Sequence, residues 1–495
     1  MGSSAASKVE ADIRHEQDEV LADIASLMEA DGSGVATANH KGSAKDAPRL
    51  VPTYSYTHVL NGFSIECDSA LMDDIEKLPG VKGVYKNKQY QIVSPEQEEK
   101  SSTVSTDYND MNTAYLHDQN IRGQGQVVAV IDSELDVQHE MFAGEVANPA
   151  LSKADVASIL KNQHLNIDAS VDEVYRSSKM PFVYNYASQS PDTYSDSEER
   201  IHGTHVSGIA AGRNGHTLDN RPLSGTAPEA QLLFFAVSQG ASGSMYNDAI
   251  FAALDDCIKL GADVINTSFG NIYGYYDPID KETFSNIEKA GIFVAASANN
   301  SDRHVNAGQS PLTPDSPDYS TLSSPASLDS TTAVASADVS SVQYKHYKLR
   351  VDGTDEIVPF VDFGCPSIKL FFHDMFSDKS YDTVYCGNGS AEECAEQDLT
   401  GKIAVIHLDF TSVDEIYDTL MKKGAVGVIF IHYDDVLTYD EVSTYELLLP
   451  TALVLPKEGA LLTEGHQRIS IDATDVQIDS VTADSAPSFF SSWGC

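Results

Sequence analysis

The chain has 495 residues, too many for one ordinary hydrophobic core, and its 41% hydrophobic content can build two or three. Thirty-two Lys and Arg stand against 74 Asp and Glu, leaving a formal net charge of −42 that is spread along the chain with no acidic tail. That surface argues against nucleic acid or an anionic membrane as a partner, since both need basic patches, and no run of eighteen apolar residues exists to span a bilayer.

In chain order, residues 1–8, beginning Met1-Gly2-Ser3-Ser4, read as a leader without an apolar export segment. Residues 9–100 form a first α+β unit. It holds a long polar helix from Val9, a Gly/Ser/Lys stretch between Asp31 and Asp46, and an alternating segment Thr53–Ser64 that breaks at Asn61-Gly62. A short helix over Ala70–Lys77, a returning strand over Val81–Tyr90 and a polar linker, Ser94–Ser102, complete it.

Residues 101–345 alternate strand and helix, which predicts an α/β fold with a parallel sheet covered by helices on both faces. Val127–Asp132 is an apolar run of strand length that ends on a carboxylate. Seventy positions later, His202 opens a helix whose small residues Gly203, Ser207, Gly208, Ala210 and Ala211 permit close packing. Tyr246–Leu260 carries Ile250, Leu254, Cys257 and Ile258 at helical spacing; Gly261 stops it, and Val264-Ile265-Asn266 starts a strand. Glu282–Ala290, Gly291 and Ile292–Ala296 repeat that pattern. Such sheets put their sites at the carboxyl ends of strands, where Asp132, Ser268 and Asn300 fall.

Residues 346–483 read as an inserted module, with strands at Gly401–Ile406 and Gly424–Ile431 and a helix at Val413–Lys423. Residues 484–495 return to the preceding pattern at Phe489–Gly494. The six cysteines show no Cys-x-x-Cys spacing, so a structural zinc site is not expected. Cys386 and Cys394 are candidates to bridge a loop, with Cys365 as a competitor, and free buried thiols are the equal alternative.

A serine hydroxyl becomes a good nucleophile only when an imidazole takes its proton and an anion fixes that imidazole. Asp132 and His202 fit these two roles in that chain order. His202 and His205 also form a His-x-x-His pair, but no carboxylate ligand stands at useful spacing for a metal.

These blocks identify the chain as resembling the subtilisin-like serine proteases, and its layout is similar to the cell-envelope proteinases of the lactocepin type. Asp132-Ser133 and His202-Gly203-Thr204-His205 carry the resemblance, together with Gly225-Thr226-Ala227-Pro228-Glu229-Ala230 and Ser297-Ala298-Asn299-Asn300. It implies that residues 9–100 are an inhibitory propeptide acting on the same chain and that residues 346–483 are a protease-associated insert. It also implies Asn300 as the oxyanion donor, and Ser268, Phe269 and Gly270 on a strand that pairs with an extended polypeptide substrate. The chemistry then needs no cofactor, structural calcium is compatible, and the protein is expected to be secreted or held at the cell surface.

Two departures stand out. Glu134 follows Ser133 where the family has Gly, bringing a second carboxylate toward Asp132. No Gly-Thr-Ser-Met-Ala-like nucleophile block occurs in the 495 residues; Ser390, Ser491 and Ser492 are not replacements. The expectation is therefore the amino-terminal, serine-lacking part of an endopeptidase zymogen, completed by a serine-bearing C-terminal segment. The alternative is a catalytically inactive peptide-binding or scaffold protein.

Overall fold

A computed structural model describes residues 4–31, 50–92, 105–106, 113–194, 202–216, 222–239, 244–270, 278–300, 322–337, 341–362, 371–377, 379–408, 413–433, 449–463, 466–482 and 491. The chain divides into two units: residues 1–94, 116–336 and 489–495 form the first, and residues 95–115 and 337–488 the second. The predicted linker, Cys365 and the return segment 484–495, Ser491 apart, lie outside the described residues.

In the first unit, helix α1 spans Ser4–Asp31, so it takes in residues that the sequence set apart as a leader. Its Leu21, Ile24 and Met28 pack with Leu50, Leu71 and Ile75, the last residue of the short helix α2 (Met72–Ile75), into a small core of their own. Strands β1 (Tyr54–Tyr56) and β2 (Gly62–Ser64) form an antiparallel hairpin within the alternating segment, Tyr54 opposite Ser64. The predicted returning strand over Val81–Tyr90 is corrected: only β3, Gln89–Ile92, is extended in a ladder. Its partners are not β1 or β2. Lys82, Gly83, Lys86, Asn87 and Lys88 offer no apolar face to the hairpin, so this stretch stays irregular.

The main sheet contains β4 (Val127–Asp132), β5 (Phe182–Asn185), β6 (Gln231–Ala236), β9 (Val264–Thr267), β11 (Phe293–Ser297) and β12 (Thr332–Val334). Their order is β12-β11-β9-β4-β6-β5, and every pairing is parallel. Side chains alternate between two buried faces. Val127, Ala129, Ile131, Leu233 and Phe235 enter one core, while Val130, Leu232, Phe234 and Ala236 enter another. Helix α3 (His202–Ala211) packs on the second face. Helix α4 (Asn247–Leu260) packs on the first and ends at Gly261, whose φ of 72° only glycine adopts readily.

A smaller antiparallel sheet completes this unit. It contains β7 (Ser238–Gln239), β8 (Ser244–Tyr246) and β10 (Phe269–Gly270), in the order β7-β8-β3-β10. Helix α5 spans Pro278–Lys289.

The second unit contains β13 (Ser341–Val351), β14 (Ile357–Asp362), β15 (Tyr381–Tyr385), β16 (Ile403–His407), β17 (Gly427–Ile431), β18 (Thr451–Val454) and β19 (His466–Thr482). Their order is β14-β18-β17-β16-β15-β19-β13, and β13 pairs back onto β14, which closes the sheet. The unit begins before residue 346, because β13 is bonded along its length to β19. Ser105–Thr106 also pairs with β13, so residues expected at the start of the α/β part belong here. Helix α6 (Val413–Lys422) covers one face with buried Ile416, Tyr417 and Leu420. Cys386 and Cys394 are free, buried thiols. Among the described residues no helix is long and apolar enough to cross a membrane, and no group of three or more His, Cys, Asp or Glu side chains is placed to hold a metal ion.

Candidate active site

Asp132 ends β4 and is fully buried. Its Oδ1 lies 2.8 Å from His202 Nδ1 and accepts the Ser133 backbone N–H at 2.6 Å. The start of α3 is fitted closely around the pair. Ser133 Oγ accepts the Gly203 N–H at 3.2 Å, and Thr204 Oγ1 accepts the Asp136 N–H at 2.9 Å. A Cβ at position 203 would stand 2.5 Å from the Glu134 carbonyl oxygen and 2.8 Å from Phe234 Cζ, so this helix start admits only glycine without displacement.

Burial alone would pull the His202 imidazole down. The charge of Asp132 and the hydrogen bond to it outweigh burial and hold the pKa above 6.5. Donation from Nδ1 to the carboxylate leaves Nε2 as the basic nitrogen. Glu134, expected to crowd Asp132, is itself buried, and the pair is closed at 2.8 Å beside it.

The other predicted residues lie on neighbouring strand ends. Asn300 follows β11, and Asn299 before it sits at φ 88°, holding the Asn300 N–H on its own Oδ1 at 2.8 Å. Ser268 separates β9 from β10 and accepts from Asn266 Nδ2 at 2.9 Å. Phe269 and Gly270 form β10, opposite Ile92 and Gln91 of β3. On its other edge β3 pairs with β8, Tyr90 opposite Met245 and Gln89 opposite Tyr246. An extended segment of the amino-terminal unit thus fills the gap between two strands, antiparallel to both.

Sequence reasoning missed the groups that hold this segment's unit in place. Asp255 Oδ1 accepts three consecutive backbone N–H groups, from Thr57 at 3.0 Å, His58 at 2.6 Å and Val59 at 2.9 Å. Asp256 accepts from the Tyr186 hydroxyl at 2.7 Å and the Asn166 N–H at 2.7 Å. Lys259, fully buried, pairs with Asp255 at 2.7 Å and with Asp256 at 3.0 Å. The apolar run Ala249–Leu254 was the available signal: a helix apolar on all sides is buried on all sides, so its charges must be paired inside. Tyr56 adds an edge-on contact to the Phe251 ring, centroids 6.2 Å apart.

The profile of the Subtilase family matches residues 123–400, and that of Peptidase inhibitor I9 matches residues 1–93. A PIII-type proteinase of Lactococcus lactis subsp. cremoris (strain SK11) is 29% identical over 81% of this chain and 20% of its own length. A C5a peptidase of Streptococcus pyogenes serotype M18 is 30% identical over 75% of this chain and 31% of its own. The chain therefore spans about a fifth to a third of these relatives. The crystal structure of the psychrophilic subtilisin-like protease Apa1 from Pseudoalteromonas sp. AS-11 is similar at a TM-score of 0.38 and 15% identity, covering 75% of this chain and 83% of that one. With more than half of its residues matched to one family, and an inhibitor segment ahead of them, the chain belongs to the subtilase family of serine peptidases.

Proposed function

We propose that this chain is the amino-terminal part of a subtilase zymogen that hydrolyses extended polypeptides through an acyl-enzyme. The carrying observation is the seating of β3 between β8 and β10. A polypeptide substrate would add to the same two strand edges, so the propeptide inhibits by occupying them. In this reading Asp132 fixes and charges the imidazole, and His202 accepts the proton of a serine hydroxyl and returns it to the leaving amine. Asn300 donates to the oxyanion, and Ser268, Phe269 and Gly270 align the substrate backbone. The serine lies in a Gly-Thr-Ser-Met-Ala-like block outside these 495 residues, consistent with the fraction of its relatives that the chain spans. The second unit acts as a protease-associated insert. Export to the cell surface or beyond suits an inhibitor-guarded peptidase.

The absence of a nucleophile block from the sequence favours a second reading, a peptide-binding protein that does not cut. Reading the coding DNA beyond the Cys495 codon separates the two. An in-frame nucleophile block supports the peptidase, and the serine-bearing product must then cleave unfolded casein and lose that activity on His202→Ala. A stop codon with no such block nearby favours the binding protein. The 495-residue chain alone is expected to leave casein intact.

A further inference from the structure

Tyr90 of β3 does more than extend a ladder. Its side chain is 4% exposed, its ring stands edge-on to Phe269 with centroids 5.8 Å apart, and its hydroxyl donates to Asp280 Oδ2 at 2.8 Å. Asp280 is fully buried in the first turn of α5, where the helix dipole favours a carboxylate, and Ser324 Oγ approaches the same oxygen at 3.4 Å. Gln89, the neighbouring residue, makes its side-chain contact with the Ser244 hydroxyl at 2.8 Å. The Tyr90 side chain therefore meets both an aromatic ring, Phe269, and a buried acceptor, Asp280. A site built to hydrogen-bond a substrate hydroxyl discriminates strongly against the analogue lacking it, because the buried acceptor then loses its donor.

We propose that Asp280 is a specificity-determining residue: it selects polypeptides carrying tyrosine at the position that Tyr90 takes in the ladder. This rests on the reading of β8 and β10 as the substrate cleft. Phenylalanine fills the same volume but removes the 2.8 Å hydroxyl donation to Asp280 Oδ2, leaving that oxygen the longer contact from Ser324 Oγ at 3.4 Å. Aspartate and glutamate meet a like charge, and aliphatic side chains are too short to reach the acceptor.

Two experiments test the pocket and its use separately. In the 495-residue chain, amide exchange of Gln89–Ile92 is compared among wild type, Tyr90→Phe, Asp280→Leu and the double variant, with the Val127–Asp132 amides as the folding control. Each single variant should raise exchange in β3 about tenfold, and the double variant, pairing Phe with Leu, should regain much of the protection. Exchange of Tyr90→Phe within twofold of wild type, or a double variant no better protected than the singles, overturns the proposal. In the serine-bearing form, kcat/KM is measured on internally quenched peptides of the sequence 87–100 with Tyr, Phe or Lys at position 90. Tyrosine should be preferred over both by about tenfold or more, and Asp280→Leu should turn the preference to Phe. Equal rates, or a preference for Phe or Lys in the wild type, overturn the proposal. If no peptide is cut, the peptidase reading fails, while the exchange result still decides whether Asp280 reads the tyrosine hydroxyl.

Discussion

Asp255 of the peptidase part holds the backbone N–H of His58 of the inhibitor part at 2.6 Å, with the Thr57 and Val59 N–H groups on the same oxygen. One buried carboxylate therefore organises the loop between β1 and β2. Asp255→Ala removes three charge-assisted hydrogen bonds and leaves Lys259 with Asp256 and the His164 carbonyl oxygen. The seat of the inhibitor should weaken by on the order of 3 kcal/mol, since hydrogen bonds to charged groups contribute about 1.5–3 kcal/mol each and do not add. Faster exchange of the Thr57–Val59 amides, with the Val127–Asp132 amides unchanged, is the expected result.

Acidification should loosen the same contact. His58 is held below its ordinary pKa of 6.5 chiefly by burial; the charge of Asp255 pulls it up, that of Lys259 down, and Glu10 and Arg14 add smaller opposing effects. A histidine lowered on folding contributes stability that is present above 6.5 and is lost as pH falls through its folded pKa. Sensitivity of the 57–59 loop to an added protease should rise below about pH 6, and His58→Gln should flatten that rise.

The opposite sign holds at His202. Its raised pKa means that the Asp132 pairing stabilises the folded chain fully below 6.5 and that this contribution is lost as pH rises through the folded value. Asp132→Asn leaves burial as the governing influence, so the His202 ring resonance should titrate below 6.5 in the variant and above it in the wild type. Equal midpoints in the two proteins would contradict the assignment of cause.

Gly203→Ala should cost about 1–3 kcal/mol in urea unfolding, the range for overpacking a closed core. The added methyl meets the Glu134 carbonyl oxygen and Phe234, and relief requires the start of α3 to move away from β4. The His202 pKa should therefore fall together with stability.

Much of this was legible in the sequence because it rests on local chemistry. Val127–Ile131 reads as a buried strand, Gly203 with its small followers as a closely packed helix, and Gly261 as a helix stop. The partner of β3 was not legible: ladder pairing is made by backbone groups, and Gln-Tyr-Gln-Ile carries no mark of which edge it joins. Asp255 and Asp256 look in sequence like a solvated acidic pair, and only the three-dimensional neighbours Lys259, Tyr186 and the 57–59 loop reveal them as buried. Lys345, Lys348 and Arg350 make β13 look like a polar connector in the sequence, which hides the start of the second unit ahead of residue 346.

In the proposed peptidase, residues 89–92 hold the substrate's place between β8 and β10. Casein hydrolysis by the serine-bearing form, measured before and after the chain is cut between Val93 and Asp107 and the inhibitor part removed, tests it most directly. Latency before the cut, activity after it and loss of that activity in His202→Ala are the predicted results. Full activity with the inhibitor part still joined and seated would mean that residues 89–92 do not block the substrate.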